Sequence, residues 1–168
     1  TGRLFEHLRE QKGYTYGAYS AFTAGLFRGP WRASTDVRTS VTDPALTDLL
    51  AEIATMRDTA VPEKELADHR RAIVASFARS LESPTTVLDS YIDVYEYKLP
   101  ADYWDRYPEQ IDHVTAADVQ RVAQKYWAAD RLQVVAVGDA ATIRSALAKV
   151  GTVREFEADG KPVNGGQP

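Results

Sequence analysis

The run Leu132-Gln133-Val134-Val135-Ala136-Val137 constrains this chain most, because an almost wholly apolar stretch bounded by polar residues needs cover on both faces. It reads as a buried strand. The other strand signals lie far from it in sequence. Tyr14 to Phe27 is rich in Tyr, Thr and Phe, Gly29-Pro30 marks a turn, and Trp31 to Val41 returns with Trp31, Ala33 and Val37 at alternate positions. This pattern predicts an antiparallel hairpin. A last strand is expected over Thr152 to Phe156. Strands near both ends with helices between them imply a sheet closed by sequence-distant segments. The expected class is α+β, a mostly antiparallel sheet with a helical layer packed on one face.

The helices are marked by apolar spacing and by their stops. Leu4, Phe5 and Leu8 share a face over residues 3–12, and Gly13 ends that helix. Asp43-Pro44 reads as an N-cap with Pro at the first helical position, ahead of the stripe Leu46, Leu49, Leu50 and Ile53. Pro62 interrupts, and Leu66, Ile73, Phe77 and Leu81 carry a second, longer helix. Ser83-Pro84 restarts a third, whose apolar face holds Val87, Leu88, Tyr91, Ile92 and Tyr95. A helix with Pro108 inside is expected over Asp102 to Val114. Thr115-Ala116-Ala117-Asp118 then has the shape of a capping box, with Asp in place of Glu or Gln. Gly138-Asp139 leads into a last helix through Ile143 and Leu147. Residues 1–158 read as a single domain and the Gly- and Pro-rich residues 159–168 as a disordered tail.

Bulk chemistry removes several function classes. The net charge is -4, whereas nucleic-acid affinity rests on clustered Lys and Arg, so a general phosphate-binding surface is not expected. No apolar run approaches the ~20 residues of a membrane helix, and no membrane insertion is expected. The absence of Cys excludes disulfides and thiolate zinc sites, and leaves bacterial periplasm and cytoplasm equally open. The chain begins Thr1-Gly2 rather than with Met and reads as a fragment.

Metal chemistry finds little support. His7, His69 and His113 are far apart in sequence, and none stands in a His-x-x-Glu-His or His-Glu-x-x-His arrangement. His69 beside Asp68 or Glu65 reads as charged helix surface. Ser20, Ser34 and Ser76 lack a glycine-framed elbow. The cluster Tyr91, Tyr95, Tyr97, Tyr103, Trp104 and Tyr107 reads as packing before it reads as a stacking platform for sugars or bases, since Tyr91 and Tyr95 share a helical stripe with Leu88 and Ile92.

The informative segment runs from Leu8 to Tyr19. A helix ends, a glycine turns the chain, and a strand begins with Tyr14 and Tyr16 on one face and Tyr19 on the other. Arg9 precedes Tyr16 by seven residues. A guanidinium and a phenol brought together beside a groove are two strong donors of the kind a peptide carbonyl or developing oxyanion needs. On the residues alone the favoured account is plainer, with Arg9 complementing the helix dipole and the tyrosines serving as ordinary strand residues.

A resemblance separates the two. Gly2-Arg3-Leu4-Phe5, Leu8-Arg9-Glu10 and Gly13-Tyr14-Thr15-Tyr16-Gly17-Ala18-Tyr19-Ser20 resemble the opening of the C-terminal, zinc-free domain of pitrilysin-family (insulinase-type) metallopeptidases, the family of mitochondrial processing peptidase. The similarity continues through Leu99 to Trp104, Ile111 to Val122 and Val134 to Ala140. It implies paired homologous α+β domains enclosing a chamber, with an inverted zinc motif on one half and an arginine and a tyrosine supplied by the other. Arg9 and Tyr16 match that pair, as catalytic and substrate-binding residues, with Tyr14 the competing substrate-binding tyrosine. No metal is expected on this chain, and zinc is expected on the partner half. The implied function is the substrate-holding half of a zinc metalloendopeptidase that degrades or processes peptides, not active as this chain alone. The implied partners are a zinc-bearing homologous domain or subunit, in a homo- or heterodimer, and a peptide. The alternative is a non-catalytic assembly or peptide-binding protein of the same fold.

Overall fold

The computed structural model describes residues 2–23, 25–27 and 29–163. Its class is α+β, with seven α-helical elements and a two-stranded antiparallel sheet among the described residues. The chain divides into two compact units. One comprises Thr1–Ala21, Trp31–Ile53 and Leu132–Pro168, and the other Phe22–Pro30 and Ala54–Arg131.

In the first unit, α1 (Arg3–Phe5) runs directly into a π-helical segment, Glu6–Gln11, then β1 (Thr15–Phe22). β2 (Trp31–Val37) pairs with β1, so the hairpin is real and shorter at both strands than the sequence suggested. Across the connection Thr23 donates its N–H to the Pro30 carbonyl at 3.0 Å. A Cβ on Gly29 would collide with the Thr23 backbone carbonyl, so this turn tolerates no side chain there. A short 3-10 turn, Thr39–Val41, leads into α2 (Thr42–Asp58), which therefore starts one residue ahead of the expected Asp43 cap. α7 (Ala140–Ala148) is capped by Asp139, whose carboxylate accepts from the Ala141 N–H at 3.2 Å. Among the described residues the buried hydrophobic side chains of this unit are Leu8, Ala18, Ala45, Ile53, Ile143 and Ala146.

Leu132 to Val137 departs from expectation. The segment lies in the first unit but joins no strand, and Val135 and Val137 are 88% and 99% exposed. Apolar composition creates a demand for cover but names no ladder partner, and neither edge of the β1–β2 hairpin takes this segment. Thr152 to Phe156 is likewise no strand. Phe156 makes one isolated antiparallel bridge to Pro162, and Val163 donates to the Glu155 carbonyl at 2.9 Å, so a tight turn closes over residues 155–163. Of the tail expected to be disordered, residues 164–168 lie outside the described residues.

The second unit is helical. It holds α3 (Glu63–Ser80), α4 (Pro84–Glu96), α5 (Tyr103–Asp112) and α6 (Ala116–Tyr126), with Val61, Leu66 and Ala123 buried. Its aromatic centre joins α3 to α5: the Phe77 ring stacks on Trp104 at 5.7 Å and meets Tyr107 at 4.9 Å, and Tyr103 stands edge-on to Trp104 at 5.0 Å. Offset and edge-on pairs of this kind add about 0.5–1.5 kcal/mol beyond their burial. Trp104 also donates its indole N–H to the Ser90 carbonyl on α4 at 2.9 Å. The anticipated tyrosine packing is thus half right. Tyr103 and Tyr107 pack, whereas Tyr91 and Tyr95 point to solvent, because α4 turns its Val87, Ser90 and Val94 side inward.

The capping box of α6 forms as the sequence predicts. Asp118 donates its N–H to the Thr115 hydroxyl oxygen at 3.1 Å, and Thr115 returns its own N–H to the Asp118 carboxylate at 3.2 Å. The Thr115 hydroxyl, then the Arg121 guanidinium, hold the Asp118 carboxyl at about 2. Its folded value lies below the ordinary unfolded one, so the cap contributes stability above about pH 4 and loses it as pH falls toward 2. Acid titration followed by circular dichroism should therefore show wild type losing helix through that window. Asp118→Asn should start lower and change less across it.

Candidate functional site

The segment that carries Arg9, Tyr14 and Tyr16 is built around one buried side chain. Leu8 is 0% exposed, the largest fully buried residue described, and burying a leucine this way contributes about 1.5–3 kcal/mol. Its backbone also directs the chain. The Leu8 carbonyl accepts the Tyr14 N–H at 3.0 Å while the Arg9 carbonyl accepts the Gly13 N–H at 3.0 Å. These bonds resemble a Schellman closure widened by one residue. The widening comes from the π turn, where Lys12 donates to the His7 carbonyl five residues back at 3.1 Å. Gly13 sits at φ +62°, the left-handed region where a side chain is strained, and from there the chain enters β1.

Arg9 stands half-exposed near the end of the π segment. Its guanidinium lies over the Phe5 ring, 4.7 Å from the centroid, and Nη1 donates to Glu10 at 3.0 Å. Tyr16 is 97% exposed, the outward member of β1 beside the buried Gly17 and Ala18. Tyr14 precedes the strand and is half-buried. Among the described residues no hydrogen bond joins Arg9 to either tyrosine. Both donors project from one continuous helix–turn–strand segment rather than meeting in a closed pocket.

The Gly17 peptide on β1 is pinned from two sides. Its carbonyl accepts from the hydroxyls of Thr15 at 2.8 Å and Thr35 at 3.0 Å, and its N–H donates to the Thr15 hydroxyl oxygen at 3.0 Å. The Tyr19 phenol hydroxyl stands 2.5 Å from where a Gly17 Cβ would lie, so Tyr19 covers the strand face opposite Tyr16. The backbone beneath Tyr16 is therefore held by side chains of both strands.

A polar cluster that sequence reading missed lies beside this segment. His7 Nδ1 meets Glu52 Oε1 of α2 at 2.7 Å, its Nε2 lies 3.8 Å from Asp48, and Lys12 Nζ lies 3.7 Å from the same Asp48. The pairing spans 45 residues, and its one local signal is the i, i+4 spacing of Asp48 and Glu52 on a helix face. It ties the π segment to α2. His69 is exposed, and His113 Nδ1 is 2.7 Å from the Glu109 carbonyl on its own helix. Among the described residues no three His, Cys, Asp or Glu side chains are grouped to hold a metal ion. A catalytic zinc takes three protein ligands, so these residues do not fit one. Among the described residues no helix is long and apolar enough to cross a membrane.

Comparison with known proteins agrees with this segment's prominence. Residues 1–73 match the family model described as the peptidase M16 inactive domain. A crystal structure of the peptidase M16 inactive domain from Pseudomonas fluorescens is 27% identical over 74% of this chain, with a TM-score of 0.68. A protease from Helicobacter pylori superposes over 73% of this chain with a TM-score of 0.64, at 19% identity, a likeness of fold. The chain spans 29% and 30% of those two chains. No curated protein matches it.

Two measurements follow. Gly13→Ala should destabilise the chain by about 1–2 kcal/mol, the cost of a left-handed side chain, read as a lower midpoint in urea. Elemental analysis of the dialysed chain should find well under about one zinc per molecule.

Proposed function

We propose that this chain, a pitrilysin-like domain of the zinc-free type, is the substrate-holding half of a zinc metallopeptidase and acts on peptides together with a zinc-bearing homologous domain or subunit. The observation that carries the reading is the exposure of Tyr16 at 97% on a pinned strand, one turn of chain after the Arg9 guanidinium. A large side chain left open on a fixed backbone is available to a ligand without rearrangement. Among the described residues the Arg9 guanidinium, a group with five donors, hydrogen-bonds to the Glu10 carboxylate alone. What supports the reading further is the family match over residues 1–73, which spans both residues.

In this reading Arg9 grips a carbonyl of the bound peptide and Tyr16 donates its phenol proton in a hydrogen bond to the carbonyl under attack. The peptide itself lies between this chain and its partner, and the metal chemistry belongs to the partner. A guanidinium that holds ground state and transition state alike lowers KM, while a donor that meets the oxyanion only as it forms raises kcat.

The test is made in the enzyme reconstituted with the zinc-bearing half. Tyr16→Phe should lower kcat about 100- to 1000-fold, or about 2.7–4 kcal/mol, with zinc content and melting temperature unchanged. Arg9→Ala should act first on KM. A larger kcat loss in Tyr14→Phe, with Tyr16→Phe silent, transfers the role to Tyr14. Wild-type turnover in both tyrosine variants removes the catalytic reading and leaves the assembly or peptide-binding protein in its place.

A further inference from the structure

On α4 a stripe of large apolar side chains lies on the side that faces water. Val87, Ser90, Asp93 and Val94 are half-buried, and the Ser90 carbonyl takes the Trp104 indole N–H. Leu88, Tyr91, Ile92 and Tyr95 recur at i, i+3, i+4 and i+7 on the other side, and all four are exposed, Tyr91 at 73% and Tyr95 at 88%. This is a continuous apolar stripe of two turns facing water. Scattered exposed hydrophobes are ordinary, but a contiguous rimmed stripe marks an interaction surface.

The rim decides what covers it. Asp89 and Glu96 are exposed along the Ile92 edge of the stripe. Within α4 itself the charged residues are Asp89, Asp93 and Glu96, with no Lys or Arg among Pro84–Glu96. An apolar stripe with an acidic border is complementary to a helix that is apolar on one face and basic beside it. The same border repels the anionic surface of a membrane and the phosphates of nucleic acid. A self-complementary contact would lay one acidic border against another about the symmetry axis.

We propose that the outer face of α4 is a docking surface for a basic amphipathic helix of a partner protein, gripped by Leu88, Tyr91, Ile92 and Tyr95 and oriented by Asp89 and Glu96. This inference does not depend on the roles of Arg9 and Tyr16, and the two can fail separately.

The probe is a synthetic helix of about 18 residues, roughly five turns, with leucines at the same spacing and lysines along the flanks. It is titrated calorimetrically into the full-length protein, alongside a copy with Glu for every Lys and a copy of scrambled order. Saturable binding of the Lys helix is expected, weaker as salt rises from about 0.05 to 0.5 M. Binding should fall about tenfold or more in Tyr91→Ser/Tyr95→Ser. Asp89→Asn/Glu96→Gln should weaken it too, with the salt dependence reduced. All these side chains are exposed, so the melting temperature of each variant should match wild type, and the charge variant tests the surface without touching its apolar area. Equal binding of the Glu or scrambled copy, unchanged binding in both variants, or no binding overturns the proposal. So does a wild-type dimer in sedimentation that Tyr91→Ser/Tyr95→Ser dissolves, or pelleting with phosphatidylserine vesicles.

Discussion

Everything proposed for the N-terminal segment depends on Leu8. Its side chain is fully buried and its carbonyl receives the Tyr14 N–H, so one residue both anchors the helix and starts the turn into β1. Its neighbours inherit their directions from that anchoring. His7 is delivered to Glu52 on α2, and Arg9 is carried out to the surface over Phe5. Any residue would offer that carbonyl, but the buried leucine side chain fixes where it stands. The two functions combined in Leu8 are why a short helix can present a guanidinium at a fixed place.

Local signals were read well from sequence, and relational ones were not. Ser83-Pro84 and the Thr115/Asp118 box start helices where expected, because a cap is written within four residues and needs no tertiary partner. The hairpin was legible from Gly29-Pro30 and the alternation of Trp31, Ala33 and Val37. The stripe on α4 was also visible, but its period reports only that one face is apolar, and α5 packs the other side. Leu132 to Val137 failed for the same reason: composition indicated burial without indicating a partner strand.

The candidate site shows the same division. Arg9, Tyr14 and Tyr16 were found because a short contiguous motif carries them. The His7–Glu52 pair was invisible because its halves stand 45 residues apart and neither has an unusual neighbour. It takes the folded chain to bring a carboxylate from α2 under a histidine of the π segment. Comparison strengthens the motif without supplying the contacts, since the match covers residues 1–73 and says nothing of which side chains meet.

The π turn between Glu6 and Gln11 has a consequence for how this segment tolerates changes in length. A π turn holds one residue more than an α turn, so dropping a residue there can relax the helix to ordinary winding rather than break it. Where the loss falls matters. Removing a residue before Arg9 keeps the spacing from Arg9 to Tyr16 and rotates both together about the helix axis. Removing one after Arg9 shortens the spacing and turns the guanidinium roughly 100° relative to the strand, about one residue's rotation in a helix. The extra residue is thus a built-in slack through which related chains can differ by one position and keep the strand in register, while the arginine's bearing records on which side of it the change occurred.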